Sequence, residues 1–312
     1  MAFEIEHLKQ HVQGQLLRNQ SLAKYSSWRC GGCAEWLFLP VDKQDLQICL
    51  RHLDPEIPVC FLGLGSNTLV RSGGLPGLTI VTLKALKSLL LCDEQQIFAE
   101  AGVSGGKVAR FSARHGFEGL EFLAGVPGTV GGALKMNAGA YGGETWEYVT
   151  QVQVINRQAE IYQRLPQDYD VQYRHVSSPY DDEEFFVGAW FQPRQGGDPQ
   201  TIQQYIKTML GERNQAQPVN WPNGGSIFRN PSNDYAARLI EACGLKGYRI
   251  GGACISARHA NFIINDQRAS PEDIEALVDY MEQTIKDKQG ITLQREIHIM
   301  GNRSEQDGNS VK

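Results

Sequence analysis

The chain has 312 residues, 41% hydrophobic and 21% charged, a composition that excludes global disorder. Its formal net charge of −5 speaks against generic binding to nucleic acid or an anionic membrane, and no apolar run approaches the roughly 18 residues of a membrane span. The opening MAFEIEHLKQHVQGQ lacks a basic-then-apolar secretory pattern, and the seven cysteines are expected as reduced thiols in a cytoplasm.

In chain order, residues 1–24 are expected as a helical segment packed on the outside. A helix is predicted over 43–53, a buried strand over 58–62, and strands over 78–83 and 97–100. Residues 105–115 read as a helix stopped by Gly116. Residues 149–156 and 160–163 alternate like two strands around a short turn, and 185–191 is an apolar strand. A helix over about 200–215 stops before Pro218. Further on, a short strand is predicted over 226–229. Asn233 is expected to cap a helix that buries Tyr235, Ala236, Leu239, Ile240 and Cys243. A strand over 260–265 follows. Ser270-Pro271-Glu272-Asp273 opens a helix with a cap, a proline at its first position and early acids, and Ile274, Leu277, Val278, Met281 and Ile285 form its buried stripe. The last strand is predicted over 291–300, with Ile291, Leu293, Ile297 and Ile299 on one face and Gln294, Glu296 and His298 on the other.

Glycine is the unusual number: 33 of 312 residues, about 11% where about 7% is typical. Twelve of them lie between Gly102 and Gly143. Such density lets backbone approach a ligand closely, with a run of tight turns as the alternative. Charge is segregated as well. Residues 201–265 carry a net +4 and residues 266–312 a net −4, which suits an anionic small ligand as well as it suits a solvated face.

Several motifs compete. Cys30-Gly31-Gly32-Cys33 has no second CxxC and no histidine at ligand spacing, and a strand rather than a helix follows, so the pair reads as packing around a Gly-Gly turn. Gly63-Leu64-Gly65-Ser66-Asn67-Thr68 starts like a dinucleotide fingerprint but lacks the third glycine and the helix; its backbone N–H groups still suit a pyrophosphate. Residues 101–107 miss two positions of a P-loop. Gly102-Val103-Ser104-Gly105-Gly106 matches the nucleophile elbow of serine hydrolases, with Asp234 and His259, or another acid with His298, later in the right order. That reading leaves the 63–68 turn and the glycines of 125–143 without a task. The stretch from Gly125 to Gly143 offers many backbone donors and few ionisable groups, which suits a cofactor bed. A binding module built on this surface is a third reading.

The order GG (31–32), GLGSN (63–67), VRSGG (70–74), GLEFLAGVPGTVGGALKMNAGAYGGE (119–144), YR (173–174), QP (217–218), GGSIFRNP (224–231), LIEACGLKG (239–247), HANFIIN (259–265) and LQREI (293–297) resembles the UDP-N-acetylenolpyruvoylglucosamine reductase family in its shorter form. More widely it resembles flavoproteins of the vanillyl-alcohol-oxidase type. The sequence departs from the family at Cys30, where an aliphatic residue is usual, at Cys33, where proline is common, and after Arg174, where it reads RHVSS. The resemblance implies an α+β fold with a two-lobed FAD-binding domain, about 25–198, a smaller substrate-binding domain, about 199–302, and a loose tail, 303–312. It implies NADPH-dependent reduction, through FAD, of the enolpyruvyl ether of a UDP-sugar in peptidoglycan precursor synthesis, with no nucleic-acid, membrane, metal or obligate protein partner.

By resemblance, Arg174 is the cation on the substrate carboxylate, Ser226 the proton donor and Glu296 its partner acid. FAD is expected on Gly63, Gly65, Ser66, Asn67, Thr68, Gly125, Pro127, Gly128, Thr129, Gly131, Gly132, Asn137, Ala138, Gly139 and Ala140. Tyr173, Arg213, Arg229 and Asn230 are expected on the substrate side, and His259 as a buried, hydrogen-bonded histidine without a catalytic role. Chemically the roles are coherent: arginine binds carboxylate bidentately, and a serine hydroxyl needs assistance to give up its proton. Taken singly, each residue also fits a structural role: Arg174 in a surface pair, Ser226 in a turn, Glu296 on a solvated strand.

Covalent members of the wider superfamily carry a histidine after RSGG; here Leu75 follows Gly74. One FAD per chain is therefore expected to leave the protein on acid or heat treatment without proteolysis. Flavin that migrates with the denatured polypeptide would contradict this.

Overall fold

The structure is a computed structural model and describes residues 5–92, 96–180 and 184–304. The expected tail falls largely outside these residues. The chain divides into two compact units: residues 1–18, 36–64 and 77–211 form the first, and 19–35, 65–76 and 212–312 the second. The contiguous boundaries expected from sequence, after 24, 198 and 302, do not coincide with these units. The backbone passes from one unit to the other four times within the first 80 residues, which a linear reading cannot reveal.

The first unit contains a five-stranded antiparallel sheet in the order Ile161–Arg164, Val149–Asn156, Glu184–Phe191, Ile97–Glu100, Leu89–Leu91. Helix Gly105–Arg114 packs its Val108, Ala109 and Ala113 into one core with Ile97, Leu123, Leu134, Val152 and Phe191. Helix Pro199–Ala216 adds Ile202, Ile206 and Met209 to it. A second core joins Trp36, Phe38, Leu46, Cys49, Leu78 and Ile80. Above it, a four-stranded sheet runs Gln15–Ser21, Cys33–Leu39, Leu75–Val81, Val59–Leu62, and the unit boundaries fall inside three of these strands. Helix Lys43–His52 is anchored by Asp45, which is buried and accepts the backbone N–H groups of Gln13, Gly14 and Val41 at 2.8, 2.9 and 3.0 Å.

Two expectations fail at the N-terminus and the C-terminus. Residues 1–24 are not one helix: a 3-10 turn, His7–Gln10, leads into the strand Gln15–Ser21. That segment owes its conformation to pairing with the distant strand Cys33–Leu39, a long-range term absent from local periodicity. The last strand is only His298–Met300, parallel to Thr68–Val70. The alternation is partly real, since Leu293 and Ile297 are buried. The backbone partner, however, changes partway: Glu296 N–H donates to Ile227 C=O and His298 N–H to Asn67 C=O.

The second unit holds an antiparallel sheet in the order Asn223–Ser226, Phe262–Asn265, Ala253–Ile255, Arg249–Ile250. Helix Pro271–Gln289 covers it and buries the expected stripe completely. Ser270 and Asp273 form the anticipated capping box. Helix Ala236–Ala242 corrects the sequence reading. Its first N–H is taken by Asn230 Oδ1 at 3.1 Å, not by Asn233, and Tyr235 is 68% exposed rather than on the buried face.

Glu275 of the long helix is buried and receives Arg71 bidentately, at 2.8 and 2.9 Å, with Arg303 at 3.2 Å. The Arg71 hydrogen bonds hold its carboxyl below the ordinary value near 4.5. A depressed carboxyl contributes stability that is present above that ordinary value and is lost as the pH falls from there through the lowered folded value. Glu275→Gln is therefore expected to be less stable than the parent at pH 7, by about 1.5–3 kcal/mol for one charged hydrogen-bonded pair. The gap should close in acid, as followed by thermal melts between pH 7 and pH 3.

Candidate active site

In the first unit the glycine-rich stretch folds against the segment that carries Ser104. Gly105 N–H donates to Gly128 C=O, Val130 N–H to Val103 C=O and Gly131 N–H to Ala101 C=O, at 2.8–3.1 Å. These N–H groups are spent on the protein, so the bed is not an open row of donors as its glycines suggested. What remains at its centre is Thr129: its Oγ1 is buried and has no hydrogen-bond partner. A Cβ on Gly63 would stand 2.4 Å from that oxygen, and a Cβ on Gly132 would meet nothing nearer than the same oxygen at 3.9 Å. A buried polar atom without a partner is costly. One flanked by two residues without side chains suits a ligand that hydrogen-bonds there, and FAD fits on this ground.

Helix Val130–Met136 ends at Asn137, which adopts φ +40. Asn137 is buried, and its side chain is wholly occupied within the unit. Its Oδ1 accepts Trp146 N–H at 3.1 Å, and its Nδ2 reaches Glu144 Oε2 at 2.8 Å and Gln172 C=O at 3.2 Å. Its part in the site is to fix the backbone, which then holds Arg174. That guanidinium donates to Gly139 C=O at 2.7 Å and Asn137 C=O at 3.4 Å, with Glu144 at 3.9 Å. Tyr173 and Arg174 form the two-residue turn of the hairpin Asp170–Gln172 and His175–Ser177, with Arg174 at φ +55 and its guanidinium over the Tyr173 ring. The register after Arg174 is thereby fixed, with Val176 buried and His175 exposed. Gly125 lies against the Tyr141 ring and beside Ala140, and the Tyr141 hydroxyl donates to Met209 C=O. Pro127, Gly128 and Ala138 belong to the same turn-and-hairpin stretch.

In the second unit Ser226 and Glu296 lie on hydrogen-bonded neighbouring segments. Strand Asn223–Ser226 pairs Ser226 with Phe262, after an irregularity in which Gly225 takes φ +78, a conformation costly for any side-chain-bearing residue. The next carbonyl, of Ile227, accepts Glu296 N–H at 2.8 Å, and Arg229 N–H donates to Gln294 C=O at 2.9 Å. The Arg295 side chain is held by Glu282, twice at 2.6 Å, and by Asp279 at 2.7 Å. The turn 65–68 is attached to the same place. Gly65 C=O accepts Ser27 N–H, Thr68 pairs with His298, and Asn67 Nδ2 donates to Glu296 C=O at 3.1 Å. Ser66 lies between them in the turn.

The expected substrate residues are placed unevenly. Arg229 is half-buried with its Nε unpartnered. Arg213 Nε donates to Gln217 Oε1 at 3.0 Å. Asn230 spends its side-chain oxygen on the helix cap. Tyr173 is 45% exposed. His259 is not hydrogen-bonded as expected at Nδ1, which is buried and has no partner; the ring packs edge-on to Phe262 at 4.8 Å, and burial lowers its pKa.

The serine-hydrolase alternative with Asp234 and His259 fails at its acid and base. Ser104 does precede a helix. Asp234, however, is engaged by Arg238 and by Tyr235 N–H, and the His259 Nδ1 that a triad acid must orient has no partner. The CxxC is equally unsuited to sulfur chemistry. Cys30 is buried, and burial, aided by Glu272 and Asp273, pushes its thiol up to about 12, so no thiolate forms near neutrality. Two residues carrying the geometry went unassigned in the sequence. Asn261 and Glu144 both sit in quoted motifs, and the only signal was a polar residue set among apolar or glycine neighbours.

Residues 217–300 match the model of the UDP-N-acetylenolpyruvoylglucosamine reductase C-terminal domain, and residues 34–163 that of an FAD binding domain. The chain is 49% identical over 295 residues to the UDP-N-acetylenolpyruvoylglucosamine reductase of Legionella pneumophila (strain Corby), covering 94% of this chain and 95% of that one. It is 43% identical over 305 residues to that of Thiobacillus denitrificans, covering 94% of each. Among solved structures it is similar to UDP-N-acetylenolpyruvylglucosamine reductase (MurB) from Thermus caldophilus, with 28% identity and a TM-score of 0.77 over 93% of this chain and 99% of that one. With 49% identity across 94% of its length to such a reductase, the chain belongs to the UDP-N-acetylenolpyruvoylglucosamine reductase family.

Proposed function

We propose that this chain is an FAD-dependent oxidoreductase that uses NADPH to reduce the enolpyruvyl ether of UDP-N-acetylglucosamine to UDP-N-acetylmuramate, in the cytoplasm, for peptidoglycan precursor synthesis. The observation that carries the reading is 49% identity across 94% of the chain to a relative named for that activity. FAD, when bound, accepts hydride from NADPH and supplies it to the β-carbon of the enolpyruvyl group. Thr129 Oγ1 and the backbone at Gly63 and Gly132 are the groups of the first unit that would hold it.

The remaining chemistry falls to the chain. Hydride addition builds negative charge on the substrate α-carbon and carboxylate, which must be stabilised and then quenched by a proton. Arg174 takes the carboxylate. Its guanidinium is oriented by the Asn137 and Gly139 carbonyl groups, with Glu144 at 3.9 Å. Ser226 delivers the proton to the α-carbon from its hydroxyl, and Glu296 is the acid that assists it. Arg213 and Arg229 contribute cations toward the diphosphate.

NADPH oxidation requires no proton from Ser226, so Ser226→Ala is expected to leave flavin reduction at the parent rate. Reoxidation by the enolpyruvyl substrate should slow by about 10²–10⁴-fold, the range of a positioned general acid. Glu296→Gln should slow the same half. Stopped-flow flavin absorbance separates the halves; loss of reduction by NADPH with normal reoxidation would remove Ser226 from the proton path. Arg174→Lys keeps the charge and loses the planar fork, and is expected to lower kcat/KM for the enolpyruvyl substrate by about 10–100-fold. Its reduction by NADPH should be unchanged in the same assay.

A further inference from the structure

We propose that Asn261 is the positioning residue of the proton-delivery pair: its carboxamide fixes the peptide that follows Ser226, and with it the register between Ser226 and Glu296. The proposal rests on the roles assigned to those two residues above.

The regular ladder between Asn223–Ser226 and Phe262–Asn265 ends at Ser226, after a break in register. The next two residues, Ile227 and Phe228, are fully buried, so water cannot satisfy their peptide groups. Asn261, itself 3% exposed, takes three of them. Its backbone C=O accepts Ile227 N–H at 2.9 Å. Its Oδ1 accepts Phe228 N–H at 3.0 Å and its Nδ2 donates to Phe228 C=O at 2.8 Å. The side chain thus does for Phe228 what a neighbouring strand residue would do, with one donor and one acceptor at the right spacing. Aspartate lacks the donor, and serine and leucine lack the pair.

The fourth group, Ile227 C=O, points to the other edge and accepts Glu296 N–H. Every peptide hydrogen bond around Ile227 and Phe228 therefore ends on Asn261 or on the 294–296 segment. With Asn261 in place the two segments have one register. Without it, Phe228's peptide must find a new partner, and a shift of one residue would carry Ser226 to the opposite face. Displacement of an ångström at a reacting group is enough to cost about a hundredfold in rate.

The test uses the full-length, FAD-loaded protein. Asn261→Ala is expected to slow reoxidation by the enolpyruvyl substrate by about tenfold to a hundredfold, with the substrate Kd of the oxidised enzyme within about twofold of the parent and the rate of reduction by NADPH as internal reference. In a Ser226→Ala background the same change should add less than about twofold, because groups acting as one unit are not additive. Where the alanine variant loads FAD poorly, Asn261→Asp, of the same size but without the donor, is read in the same way. Amide exchange of Phe228, measured without turnover, should quicken in either variant. Full multiplicative slowing in the double variant, an unchanged reoxidation rate, or unchanged exchange at Phe228 overturns the proposal while leaving Ser226's role standing. Normal reoxidation in Ser226→Ala alone overturns that role, and this proposal with it.

Discussion

The second unit depends on the peptide groups of two buried residues, Ile227 and Phe228, which no regular sheet satisfies. A buried N–H or C=O left without a partner costs about 1–3 kcal/mol, and here several lie within two residues. Asn261 closes one edge and the 294–296 segment the other. The consequence is functional as well as structural. With its backbone committed on both sides, the stretch cannot slide, and the side chains of Ser226 and Arg229 at its ends are left free of any share in holding the backbone. The core beneath, from Trp28 through Ile227 and Phe228 to the stripe of the long helix, gives this clamp a rigid floor.

Much of the helical structure was legible because its signals are local. The capping box at Ser270 and the apolar stripe behind it, the helix over Gly105–Arg114 and the helix before Pro218 all emerge from spacing and caps. The failures share a cause. Gln15–Ser21 is a strand because a distant strand pairs with it. Residues 291–300 alternate like one strand but exchange backbone partners partway. Asn230 rather than Asn233 caps Ala236 because the chain folds back by six residues. The first two depend on residues far along the chain, so no window along the sequence contains them; the third lies within six residues but turns on how the chain folds back.

For the candidate site the sequence names residue types, and the structure adds what their polar groups hold. Glycine density points to the stretch around Thr129, yet the Gly131 N–H expected to meet the cofactor is spent on Ala101 C=O. Asn137, expected to meet the cofactor, turns its amide inward to Glu144, Gln172 and Trp146. Asn67 likewise directs its Nδ2 to Glu296 C=O. A side chain's identity announces that it can hydrogen-bond, but only the fold determines whether the partner is a ligand or the protein's own backbone.

Three asparagines, at 67, 137 and 261, consequently do the same physical work: each uses a short, stiff amide to fix backbone next to a group assigned to the chemistry. Asparagine is suited to it because it carries a donor and an acceptor at once and adds no charge. The distinction matters beside Arg174. A carboxylate in the place of Asn137 would orient the same guanidinium but would also neutralise it. Two carbonyl oxygens and Glu144 at 3.9 Å fix its direction. Coulomb attraction falls with distance and with solvent screening, so an anionic substrate group making direct contact would prevail over that internal acid. At these three positions neutral amides hold the geometry without adding charge.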